Sequence, residues 1–355
     1  MYIRCIFNIV PYLLLLIFPF GCDAKKETVF DGMTMGTTYH IKVVSGYFKK
    51  TSELKAKIDS RLHAINQSMS TYIPESEISR FNALQSTEEK MHVSHDFFQV
   101  LQAGEVLYSM TKGAWDGTVK PLVNLWGFGN TENRYIVPEK TSIVHLLKEI
   151  GFRHIELSDR GEIRKKKTPL SLDLGSIAKG YAVDQIAILL RSEDIDDFLV
   201  EIGGEVYAAG FRKDSGKWRV GVNLPFKDAR LDALYGIVEL QNKAMATSGD
   251  YRNYFDADGK IYSHILDPRT GYPVMNGVAS VSITAATCAF ADGLATAVMV
   301  MGRERGLALI ETLVDVEAFI IVRNQEGVLE TSATHGFKAK ITPITNTRNS
   351  ESTKD

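Results

Sequence analysis

The sequence predicts an α+β fold, with helices packed on a largely antiparallel sheet. Two observations carry this. Leu54, Ile58, Leu62, Ile65 and Met69 recur at helical spacing, so 52–69 reads as an amphipathic helix. Short apolar runs at 198–202, 206–211, 217–222 and 235–241 follow one another, several joined by brief glycine-containing turns, which implies antiparallel pairing. Mixed helix and strand signals of this kind place helices on one sheet system. Strand order does not follow from the pattern.

The elements can be justified in order. Met1 to Asn8 holds one cation, Arg4, and an apolar run from Ile9 to Phe20 ends in Gly21-Cys22. The run is short for a spanning helix and reads as a secretory signal. Cysteine after glycine at its end resembles a bacterial lipoprotein signal, which would leave Cys22 as the lipidated N-terminus. Pro19, Phe20 and the thin charged region depart from that pattern, so a general signal cut elsewhere, or an uncleaved anchor, is the competing reading. A strand is expected at 37–44. A second helix spans 96–111, with Ser94 as its cap and Gly113 as its stop. A short helix at 142–150 ends at Gly151. Leu170, Leu172 and Leu174 alternate as a strand, and a helix begins near Ser176 and runs to Arg191. Helices are expected at 287–300 and 303–313, and strands at 278–284, 317–322 and 336–341. Lys165-Lys166-Lys167 reads as a solvated edge or hairpin. The boundaries are therefore a signal at 1–21, one catalytic domain at 22–341, and a polar tail at 342–355 expected to be disordered.

Composition narrows the function. The chain has 41 Lys and Arg against 43 Asp and Glu, so it carries no basic footprint for nucleic acid. Of three cysteines, Cys5 leaves with a signal and Cys22 would be acylated. Cys288 remains in an apolar segment and reads as packed, so no disulfide framework or thiolate metal site can be built.

Chemistry concentrates in a few motifs. Asp173, Ser176 and Lys179 follow at spacings of three and three on a strand-to-helix turn. They can converge beside the free N–H groups of a helix N-terminus, a ready site for a phosphate and its metal; a solvated cap with a surface lysine is the plainer alternative. Asp292 and Thr296, four apart, share one face of an apolar helix. A hard cation such as magnesium takes these oxygen ligands, and an Asp–Thr hydrogen bond within the helix would equally satisfy them. His264 lies among polar and turn residues, as a general base or as a hydrogen-bonded turn histidine. Met35 beside Gly36 can lie on a flat ring, or be a core methionine. Tyr72 follows the first long helix and can stack on a nucleobase, or form a core edge. Ala114, Trp115 and Asp116, with the Trp126-Gly127-Phe128-Gly129 run, suit a heteroaromatic ligand or a packed tryptophan-rich loop.

Read together, Met-Gly-Thr-x-Tyr, Gly-Ala-x-Asp, Pro-Leu-Val-Asn-Leu-Trp-Gly-Phe-Gly, Asp-Leu-Gly-Ser-Ile-Ala-Lys-Gly-Tyr-Ala-Val-Asp, Ile-Gly-Gly-Glu-Val, Thr-Ser-Gly-Asp-Tyr, His-Ile-x-Asp-Pro-x-Thr-Gly and Ala-Asp-Gly-Leu-Ala-Thr-Ala occur in this order. The ordered set resembles the ApbE family, the FAD:protein FMN transferases, from about Met33 to Gly302. The resemblance implies an ApbE-like, T-fold-related, two-lobed single catalytic unit. It implies magnesium-dependent transfer of the FMN moiety of FAD to a threonine hydroxyl of a partner protein, with release of AMP. Met35, Tyr72, Ala114, Trp115 and Asp116 would hold FAD, and Asp173 and Lys179 would contact its ribose or phosphates. Ser176, through its carbonyl or hydroxyl, would join Asp292 and Thr296 around magnesium. His264 and Ile265 would line the flavin side, with His264 deprotonating the acceptor. Trp115 departs from the phenylalanine more usual in relatives and keeps an aromatic ring. The implied acceptors are threonine-bearing subunits of membrane or exported redox complexes, and the implied location is the periplasmic face of the inner membrane, on a lipid anchor. An FAD pyrophosphatase using water, and a flavin-storage lipoprotein without turnover, are the competing functions. Tyr72 favours transfer over hydrolysis, because an aromatic clamp would hold FAD intact until an acceptor arrives.

Overall fold

The backbone is organised by one antiparallel sheet whose strands meet in chain order. In a computed structural model, the described residues are 25–46, 51–129, 136–226, 230, 233–250, 254–257 and 259–344. Eight strands form the sheet: β1 (Lys26–Thr34), β2 (Thr37–Ser45), β3 (Asp197–Ile202), β4 (Glu205–Ala209), β5 (Lys243–Gly249), β6 (Val278–Ala285), β7 (Glu317–Arg323) and β8 (Leu329–Ala333). Each pairs antiparallel with the next. Two tight hairpins set the register. Met35-Gly36 joins β1 to β2 and Gly203-Gly204 joins β3 to β4, with positive φ at all four residues. Two-residue loops of this kind match the twist of the strands they join.

Alternation along the strands builds a layer on each face. Ala244 and Ala246 of β5 and Ala318 and Ile320 of β7 face the main core. Met245, Phe319 and Ile321 face the other side. The main core is closed by α1 (Thr51–Met69), α2 (His95–Met110), α3 (Ala178–Ser192) and α4 (Cys288–Met301). α4 is apolar on all sides because it is enclosed between α2, α3 and the sheet. The opposite face carries a three-stranded sheet of 218–223, 234–240 and 341–343, anchored by Trp218, Val238 and Phe337. A third cluster, around Leu122, Trp126, Ile143 and Phe255, packs the 119–128 segment.

The α+β class and the long helices stand as expected. Ser94 caps α2 by accepting from the Phe97 amide at 3.3 Å, as read from the sequence. Several local expectations are corrected. Residues 170–174 are extended but pair in no sheet. The Asn82 side chain substitutes for a neighbouring strand, accepting from the Leu172 amide at 2.7 Å and donating to the Leu172 carbonyl at 2.9 Å. The strand expected at 336–341 is a helical turn, His335–Lys338, followed by the strand Ile341–Pro343. Glu317 accepts from the Gly336 amide and Phe337 stacks on Phe319, which holds the turn. Thr342 and Pro343, expected in the tail, are thus paired, against Ile237 and Gly236. The tail from 345, and the signal with Cys22, lie outside the described residues. The lysine run is not a wholly solvated edge. Lys165 is fully buried, donating to the carbonyls of Asn82 and Leu170 at 3.3 Å over the Phe81 ring.

Candidate active site

The segment before α3 is the first wall of the site. Burial of Leu170, Leu172 and Leu174 fixes its inner face, so Asp173 points away from the core. The Asp173 amide donates to the Gly117 carbonyl at 2.8 Å, and its carboxylate accepts from the Gly175 amide at 2.9 Å. The chain therefore turns at Gly175, and α3 starts at Ala178 rather than at Ser176. Asp173, Ser176 and Lys179 line one cavity of about 650 Å³, a volume typical of cofactor sites.

α4 supplies the second wall. Asp292, 3% exposed, and Thr296 both line the cavity. Among the described residues, Asp292 and Thr296 each find another partner rather than each other. Asp292 accepts from the Gly180 amide of α3 at 3.0 Å, and the Thr296 hydroxyl lies 3.2 Å from that of Ser248 on β5.

The Gly203-Gly204 hairpin supplies the third wall. It places Glu205 against Lys179, whose Nζ lies 2.6 Å from the carboxylate. Glu201 accepts from the Gly204 amide at 2.6 Å and also lines the cavity. Burial works against the charge on Lys179, but Asp292 and Glu205 outweigh it and raise its pKa. Burial also raises Glu205 and Asp292, with Lys179 pulling both the other way. The cluster thus sets two carboxylates against one ammonium at the cavity wall, an arrangement that favours an added cation.

Aromatic and turn residues close the cavity. Ala114, Trp115 and Asp116 lie along it, and the Trp115 indole donates to the Ser176 hydroxyl at 3.0 Å. Asp116 is buried and accepts from the Thr118 amide and hydroxyl; burial raises its pKa against those bonds. His264, Ile265 and Leu266 also line the cavity, with the His264 ring edge-on to Phe128 at 6.4 Å. Their loop is locked by Asp267, which holds Arg269 through two side-chain bonds of 2.8 Å, and by Trp126, which donates to the Gly271 carbonyl.

Ten of the twelve ligand-contacting positions read from the sequence meet here: Ala114, Trp115, Asp116, Asp173, Ser176, Lys179, His264, Ile265, Asp292 and Thr296. Two do not line the cavity. Met35 sits in the β1–β2 hairpin with φ 51° and packs on the main core. Tyr72 is 77% exposed on the turn after α1. Glu205 and Ser248 lie within the Ile-Gly-Gly-Glu-Val and Thr-Ser-Gly-Asp-Tyr motifs, to which the sequence assigned no role, and Glu201 was missed. The Gly-Gly dipeptide between two apolar runs was the available signal: it marks a hairpin tip, and Glu201 and Glu205 flank it.

Magnesium would meet a suitable donor set. Among the described residues no three His, Cys, Asp or Glu group into a metal centre. The site instead offers one buried carboxylate and two hydroxyls, oxygen donors suited to a hard cation that keeps several waters. Ser176 accepts one hydrogen bond, from Trp115, and retains a second lone pair.

A cavity that joins a charged cluster to aromatic side chains has the make-up of an enzyme active site. The comparisons make this specific. Residues 35–320 match the ApbE family, and the chain belongs to that family. It is 41% identical over 321 residues to the "FAD:protein FMN transferase" of Vibrio cholerae, covering 90% of this chain and 94% of that protein. It is 36% identical to the Haemophilus influenzae protein of the same name, covering 90% and 93%. Among solved structures, the flavin transferase ApbE from Vibrio cholerae superposes with TM-score 0.81 at 39% identity, covering 89% of this chain and 99% of that one. The apo form of Pseudomonas stutzeri flavinyl transferase ApbE gives TM-score 0.80 at 37% identity, covering 89% and 97%.

Proposed function

We propose that this enzyme is an FAD:protein FMN transferase that uses magnesium, acts on a threonine hydroxyl of an acceptor protein, and releases AMP. One observation carries the reading: the Lys179–Glu205–Asp292 cluster opens on the same cavity as Trp115 and His264. Pyrophosphate would lie against the charged cluster, with the rings of FAD along the aromatic wall. In the reaction, a bond forms between the threonine Oγ and the FMN phosphorus, and the bond from that phosphorus to the bridging oxygen breaks. AMP leaves with the electron pair of that bond. His264 takes the hydroxyl proton, and Lys179, held charged by its carboxylate neighbours, stabilises negative charge on the leaving phosphate. Ser176, Asp292 and Thr296 would hold magnesium, which when bound neutralises charge building on the phosphate oxygens. Trp115 and Ile265 orient the flavin portion and exclude water.

Export and a lipid anchor at Cys22 form part of the same proposal, with acceptors among membrane or exported redox subunits. The test mixes protein, FAD and magnesium with and without a threonine-bearing acceptor. Flavin covalently fixed to the acceptor, with AMP formed in equal amount, is the expected result. AMP and free FMN without any acceptor would make the enzyme an FAD pyrophosphatase; no product in either tube would leave a flavin-storage protein.

A further inference from the structure

Asp184 takes no part in the chemistry above, yet both its carboxylate oxygens are engaged behind the site. It projects from α3, and its two oxygens accept from the amides of Cys288 and Ala289 at 2.7 and 2.9 Å. These are the first two amides of α4, whose own cap residue, Thr287, makes no side-chain cap bond. Asp292 does the converse. It projects from α4 and accepts from the amide of Gly180, in the first turn of α3, whose cap residue Ile177 also makes no side-chain cap bond. Each helix therefore has first-turn amides satisfied by an aspartate of the other, where orphan donors and positive helix ends favour a carboxylate.

The two helices touch at backbone level where these bonds are made. A Cβ on Gly180 would stand 2.4 Å from the Cys288 carbonyl oxygen. Neither helix can slide along the other without breaking a bond to Asp184 or Asp292. This matters because the site is divided between them. Ser176 and Lys179 come with the start of α3, and Asp292 and Thr296 come with α4.

We propose that Asp184 is a positioning residue that holds the two halves of the magnesium site in register. The inference rests on the magnesium reading given above. Two amides diverge toward two oxygens, so asparagine, with one acceptor and an NH2 facing an amide, cannot reproduce the grip. A purely structural cap would lower stability and leave metal affinity alone; a positioning residue changes metal affinity in protein that remains folded.

The test is calorimetric titration of Mg2+ into the full-length protein with FAD, compared for the parent, Asp184→Asn and Asp184→Ser. Circular dichroism verifies folding, and FAD affinity is measured separately in EDTA. The expected result is Mg2+ binding weakened roughly 10- to 100-fold, as for other residues that orient metal ligands. FAD affinity in EDTA should stay close to the parent's. The half-saturating magnesium for turnover should rise in step. Mg2+ affinity equal to the parent's in whichever variant folds overturns the positioning role. If neither variant folds, Cys288→Pro, which removes the first of the two amides at the first helical position, after the extended Thr287, must show the same weakening, and parental affinity there overturns the role. A parent that binds no Mg2+ overturns the magnesium reading itself, which separates the two failures.

Discussion

Asp292 is a carboxylate held where water is scarce, and two separate consequences follow from removing it. Asp292→Ala leaves the Gly180 amide without its acceptor, a loss of about 1–3 kcal/mol for a buried donor. It also removes the sole carboxylate of the proposed magnesium site, so turnover should vanish across a magnesium titration while the protein still folds. Full activity at any magnesium level would remove Asp292 from the metal site. His264 gives the complementary expectation. His264→Asn should lower transfer by about 10²–10⁴ with FAD affinity little changed, the usual effect of losing a general base. An unchanged rate near neutral pH, with FAD and magnesium saturating, would assign His264 to the loop's structure. Asp184 gives a pH signature. Burial pushes it from 3.8 up to about 6, against two amides that lower it. The folded state therefore holds the proton more tightly, so this group's stabilisation is full below about pH 4 and is lost as pH rises through about 6. The melting temperature of the parent minus that of Asp184→Asn should fall between those values and level off above them. A difference that grows with pH across the window would contradict the raised value.

At the scale of elements, the close crossing of α3 and α4 is the feature most sensitive to a small change. Gly180→Ala puts a methyl group against the backbone of Cys288 and Ala289, where no flexible side chain can yield. Overpacking of this kind costs about 1–3 kcal/mol, and here it must also part the two halves of the site. Turnover should drop although the methyl reaches no ligand; a stability loss with unchanged turnover would show that the helix separation does not govern catalysis. The same elements show what the sequence could tell. α1, α2 and α4 were legible because their apolar positions repeat at helical spacing or fill the whole segment. β1 and β8 were not, since they lie at the two edges of the sheet and carry many exposed polar residues. β5 was missed because Lys-Ala-Met-Ala-Thr-Ser-Gly packs small residues against α4 and shows little alternation in hydrophobicity. Residues 170–174 looked like a strand because their burial alternates, but their partner is the side chain of Asn82, which no local pattern announces. The site residues were easier than the fold: acid, hydroxyl and lysine at fixed spacing are visible in one dimension. Glu205 escaped because its importance lies in the distance to Lys179, and that distance exists only once the β3–β4 hairpin closes.

At the scale of the whole molecule, the order of the strands decides where the site can face. The meander leaves β1 at one edge, and the β1–β2 and β3–β4 hairpins stand side by side at one end of it, with the Gly203 amide bonded to the Thr38 carbonyl. The cavity opens beside the second of these hairpins. β1 begins at Lys26, four residues after Cys22. A lipid on Cys22 would therefore hold the sheet edge within roughly 14 Å of its attachment point, since an extended chain spans at most about 3.3–3.6 Å per residue. So short a tether would confine the enzyme to acceptor threonines near the membrane surface, and lengthening it should widen the range of accessible acceptors. Cys22→Ala should move the protein from the membrane to the soluble fraction, or stop its processing, while the purified variant still modifies a soluble acceptor at the parent's rate. Fractionation and mass spectrometry of the mature N-terminus check this directly. An unmodified N-terminus at another residue would reject the anchor, and with it the tether's control over which acceptors are reached.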